Sequence, residues 1–66
     1  MNALIIKEII DIVSDFFDGD QTKVKLWFKS ANPNFGGISP NELILLGCEQ
    51  KVLDFAVDAR DANHIE

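Results

Sequence analysis

Histidine and cysteine, the residues most often recruited for metal binding and nucleophilic chemistry, occur once each in this chain, as His64 and Cys48, and tyrosine is missing altogether. A single cysteine excludes an intramolecular disulfide framework. A chain of 66 residues must then hold itself together by packing or association, since a domain near this size buries only about 60% of its unfolded surface. Long hydrophobic runs are also absent. Lys7, Glu8 and Asp11 interrupt the apolar stretch over residues 4–13, which falls short of the roughly 18 residues of a spanning helix and lacks the basic flank and cleavage site of a signal peptide. These absences lead us to expect a cytoplasmic protein without a membrane partner. Positive charge is scarce as well: six basic against eleven acidic residues leave a net charge of −5. That is the wrong sign for a module that neutralises phosphates, so direct nucleic-acid binding is not expected. Lys23, Lys25 and Lys29 cluster in sequence but point in different directions around a helix. They read as a solvated surface able to meet an acidic partner.

What is present is a folded composition, with 47% hydrophobic residues and five phenylalanines. From Ala3 to Asp18, Ile5, Ile6, Ile9, Ile10, Ile12, Val13, Phe16 and Phe17 recur at helical spacing, opposite a polar set. Their arc is wider than the ~100° stripe of a surface helix, so the helix is either central to the domain or partly turned towards a second chain. Gly19 supplies the stop. Asp20 caps a second helix with Val24, Trp27, Phe28 and Ala31 on one face, ending before Asn32-Pro33. Leu26 lies off that face and is a candidate partner contact. In the loop from Asn32 to Ile38, Pro33 fixes one backbone angle, and Gly36-Gly37 allows either positive φ or close approach of another segment.

The third helix is announced by a capping box, with Ser39 at N-cap, Pro40 at N1 and Glu42 at N3, and by a staple between Ile38 and Leu43. Leu43, Ile44, Leu45 and Leu46 make it apolar nearly all round, which predicts deep burial, with Gly47 as terminator. From Cys48 onwards Val52, Phe55, Ala56, Ala59 and Ala62 share a face that Leu53 and Val57 widen, while residues 63–66 are expected to fray. No segment alternates with period two. The expected fold is therefore all-α, one domain over residues 1–66, a compact bundle of about four short helices packed orthogonally.

Chemistry finds few candidates. Cys48 has no flanking positive charge to activate its thiol and reads as a small core residue, and His64 lacks a plausible metal partner. Asp18, Asp20 and Thr22 open like a calcium loop, but Lys29 stands where the bidentate glutamate belongs. Gly36-Gly37 lacks the rest of a phosphate loop. Neither an enzyme nor a cofactor or metal site is expected.

The order Trp27-Phe28, Asn32-Pro33, Phe35-Gly36-Gly37, Ser39-Pro40 and Leu43-Ile44 resembles the toxin-binding domain of the antitoxins called Xre, MbcA or ParS, which pair with RES-domain toxins. Phe17-Asp18-Gly19 before it, and Val52 and Phe55 after it, extend the resemblance from about Ile5 to about Ala59. The resemblance implies a helical domain that homodimerises and caps the active site of an NAD-degrading RES toxin, with no chemistry of its own. Phe35 and the last helix, through Leu53, Val57 and Arg60, would then join Leu26 as partner contacts. Trp27, Asn32, Pro33, Gly36, Gly37, Ser39, Pro40 and Glu42 would set the architecture. Two features depart from the pattern. The sequence opens directly into the first helix, where the family carries a helix-turn-helix region, and residues 58–63 lack the family's late glycine. The competing expectation is a self-associating structural or adaptor module without a toxin.

Overall fold

Four orphan N–H groups open every α-helix, and here short polar side chains receive them. Asn2 Oδ1 accepts from Leu4 and Ile5 at 3.0 and 3.3 Å, and Asp20 Oδ1 accepts from Thr22 and Lys23 at 3.1 and 3.2 Å. Ser39 Oγ accepts from the Glu42 N–H at 3.1 Å, while its hydroxyl donates to Glu42 Oε1 at 3.2 Å. The expected capping box thus closes through the serine hydroxyl. The computed structural model describes residues 2–63. Over these the protein is all-α, with α1 at Ala3–Phe16, α2 at Gln21–Lys29, α3 at Pro40–Leu45 and α4 at Glu49–Asn63. A 3₁₀ turn, Pro33–Phe35, lies between α2 and α3. The expected fraying of the tail falls on residues 64–66, outside the described residues, apart from Asn63, which ends α4.

Two helices end in the same hydrogen-bonded motif. After α1, the Gly19 N–H donates to the Ser14 carbonyl at 2.9 Å and the Asp18 N–H to Asp15 at 3.3 Å. After α3, Cys48 donates to Leu43 at 2.8 Å and Gly47 to Ile44 at 3.0 Å. The left-handed position of this motif holds Gly47 (φ 82°) after α3 but Asp18 (φ 52°) after α1. Gly19, expected as the stop, follows Asp18 and is itself at positive φ (79°), so two consecutive left-handed residues end α1. Helix α2 ends at Lys29 and not at Ala31, because Ser30 turns extended. Its N–H and hydroxyl both donate to the Leu26 carbonyl, at 2.9 and 2.7 Å. Ala31 is consequently exposed.

The segment between α2 and α3 is an elbow. The Asn32 carbonyl accepts from Phe35 at 2.9 Å and Gly37 at 3.0 Å, and the Asn32 N–H donates to Ile38 at 3.3 Å. This makes an isolated antiparallel bridge between Asn32 and Ile38. Gly36 and Gly37 have φ of 69° and 86°, and a β-carbon on either would meet nothing within 4 Å. Of the two reasons for glycine here, positive φ is the one that applies.

Helix α1 makes its most extensive packing with α4. Their first turns are tied by the Asn2 N–H donating to Glu49 Oε2 at 2.6 Å. Towards the other end, Phe16 of α1 shares a shallow groove with Phe55 and Ala59 of α4 and with Trp27 of α2. The two longest helices thus run parallel. Helices α2 and α3 return the chain between them, α3 packing on both α2 and α4. Ile9, Val13, Val52 and Ala56 are completely buried at the centre, joined by Ile12, Val24, Phe28, Leu43 and Ile44. Trp27 is half-buried and meets Phe28 edge-on, with ring centroids 5.0 Å apart.

Two expectations about burial fail. Leu45 and Leu46 are 75% and 71% exposed. The six-residue helix α3 makes under two turns, and Pro40, Leu43 and Ile44 occupy its inner side. Cys48 is exposed rather than in the core. It follows Gly47 in the turn that leads into α4.

Candidate partner-binding surfaces

The residues proposed as partner contacts divide sharply. Leu26 is 63% exposed on the outer side of α2, and Arg60 is exposed on α4, with its Nε 3.6 Å from Asp61 Oδ1. Such an exposed pair contributes little to stability. Val57 is half-buried against the core. Phe35 and Leu53 are instead core residues, 7% and 9% exposed. The Phe35 ring stacks edge-on against Phe55 at 5.1 Å, so the elbow folds its aromatic side chain inward, and neither residue is presented to a partner. The residues read as architectural lie along the elbow and the start of α3. Asn32 caps the 3₁₀ turn through Oδ1 to the Asn34 N–H at 2.9 Å, Gly36 and Gly37 turn the chain, and Ser39, Pro40 and Glu42 start α3.

The pattern did not single out several other exposed apolar side chains. Leu45 and Leu46 form an apolar corner beside Cys48, and Leu4 (75%) and Ile10 (41%) lie open on α1. A groove of about 390 Å³ runs between α1, α2 and α3. It is lined by the buried Val24, Phe28 and Ile44, by Ile6 and Ile10 of α1, by Lys25 and Lys29 of α2, and by Gln21 and Asn41. Lys25 and Lys29, expected to diverge, both line the groove because they are one helical turn apart. That spacing was the available signal in the sequence; the contribution of α1 was not visible there.

Among the described residues, one titratable group is clearly perturbed. Hydrogen bonds from its own backbone N–H and from that of Asn2 hold the Glu49 carboxyl below its ordinary value near 4.5, outweighing the opposing effect of desolvation. This carboxylate clasps two helix starts and lies away from the groove. Among the described residues, no group of three or more His, Cys, Asp or Glu side chains is arranged to hold a metal. His64 lies outside them. No helix among them is long and apolar enough to cross a membrane.

Comparison of the chain with protein-family models, with curated proteins and with solved structures gave no match.

Proposed function

We propose that this chain is a non-catalytic protein-binding module of the antitoxin type, whose partner is an NAD-degrading RES-domain toxin. The observation that carries the binding role is the distribution of apolar surface. The core is closed by Ile9, Val13, Val52, Ala56 and their neighbours, yet Leu4, Ile10, Leu26, Leu45 and Leu46 stay between 41% and 75% exposed. Five large aliphatic side chains on a domain this small are a surface suited to being covered. The toxin assignment rests on the resemblance of the Trp27-to-Ile44 stretch, whose caps and glycine turns form a defined elbow. A solitary homodimerising module is the second reading, favoured by Leu4 and Ile10, both exposed on α1.

The test is affinity capture of the tagged chain from its native lysate, with mass spectrometry of what is retained, followed by co-expression with any RES-type protein found. A stoichiometric RES-type partner whose NAD consumption falls on co-expression, and whose capture is lost with Leu26→Asp, supports the antitoxin reading. Recovery of a self-complex alone, with the toxin expressed, overturns it in favour of the solitary module.

A further inference from the structure

We infer that the groove between α1, α2 and α3 is a docking site for an amphipathic helix that carries acidic residues along one flank. Its lining repeats at helical spacing, with Ile6 and Ile10 from α1 and Lys25 and Lys29 from α2 beside the buried Val24 and Phe28. Residues four apart on a helix are separated by about 6 Å along its axis. The groove is therefore an open valley whose apolar positions are spaced to receive side chains at i, i+3 or i+4, and i+7 of an incoming helix.

Charge selects the flank. The protein carries a net charge of −5, yet the charged side chains lining this groove are both lysines. Neither forms an ion pair among the described residues, where the pairs are Lys7 with Asp11 and Arg60 with Asp61. Two unpaired ammonium groups one turn apart beside an apolar lining complement carboxylates at the same spacing on a partner, fixing its register and excluding a basic helix. This surface is distinct from Leu26 and Arg60, and the inference stands whether or not the partner is a toxin.

The test uses the whole protein and two synthetic helical peptides with identical leucines at i, i+4 and i+7, one flanked by glutamates and one by lysines. Binding is read by fluorescence anisotropy and located by amide chemical-shift perturbation. The acidic peptide is expected to bind about tenfold or more tightly than the basic one and to weaken with added salt. Its shifts should centre on Ile6, Ile10, Lys25 and Lys29. The double variant Lys25→Glu/Lys29→Glu, with both substitutions on exposed positions, should reverse the preference while its circular dichroism stays native. Equal binding of both peptides, no binding of either, or shifts centred on Leu45 and Leu46 would overturn the assignment. Shifts at the groove that appear on concentrating the protein alone would give the site to a second copy and overturn it equally. Capture of a RES-type protein by a chain whose groove is charge-reversed would leave the antitoxin reading intact while removing the groove from it.

Discussion

Replacing Asp18 by glycine should stabilise the protein, and the two matching helix ends allow the gain to be worked out. Asp18 sits at φ 52° in the position that Gly47 fills, at φ 82°, after α3. An L-residue in this conformation is strained by about 1–2 kcal/mol, somewhat less for aspartate, whose short polar side chain tolerates it. Glycine removes that strain but loses about 0.5–1 kcal/mol more conformational freedom on folding. Charge adds a second contribution. The last turn of α1 contains no basic residue, so the Asp18 carboxylate faces the negative end of the helix dipole, an arrangement unfavourable by about 0.3–1 kcal/mol at low salt. The sum for Asp18→Gly is about 1 kcal/mol, or a rise in Tm of about 4–8 °C for a domain of this size. Asp18→Asn removes the charge and keeps a side chain tolerant of the left-handed region. Its gain should therefore shrink in 1 M salt, where the screening length is about 3 Å, while the surplus of glycine over asparagine persists. Gly47→Ala is the converse. A β-carbon there meets nothing within 4 Å, so its loss of about 1–2 kcal/mol is purely conformational. Thermal and urea denaturation followed by circular dichroism, at low and high salt, measures all three. An unchanged or lowered Tm for Asp18→Gly, or a neutral Gly47→Ala, would refute the reasoning.

Ile9→Ala, at a position with no exposed area, should lose about 2–5 kcal/mol. Because a domain this small has only about 3–5 kcal/mol in total, urea titration should find the variant largely unfolded without denaturant. Glu49 gives a pH dependence: its folded pKa lies below the ordinary value, so its stabilisation is present above about pH 4.5 and is lost as pH falls through the folded value. Urea midpoints measured between pH 6 and 3 should drop less steeply in Glu49→Gln than in the parent. Cys48, exposed at the corner after α3, should react fully with a thiol reagent in the native protein, at a rate that urea barely raises.

Much of this fold was legible because its punctuation is local. Asp20 and Ser39 could be read as caps because each needs only the N–H groups two or three residues ahead. Asn2 was not, since half of its role is to donate its own N–H to an acceptor 47 positions away. The stop of α1 was legible at Gly19, but the left-handed Asp18 just before it was not, because aspartate tolerates that region without requiring it. Periodicity cannot choose an inner face for a helix as short as α3, so Leu45 and Leu46 looked as deeply buried as Leu43 and Ile44. Phe35 could have been core or interface until Phe55 was seen against it. The groove depends on where α1 lies relative to α2, which local pattern does not encode.

The parallel arrangement of α1 and α4 has a kinetic consequence. The largest interface joins the two ends of the chain, so nucleating it means closing a loop that contains α2, the elbow and α3, before most of the core can form. Folding should therefore be slower than in an up-and-down helical bundle of equal length, where neighbouring helices meet as soon as each hairpin closes. It should also be all-or-none, since a nascent chain lacking α4 leaves Ile9 and Val13 without the helix that covers them.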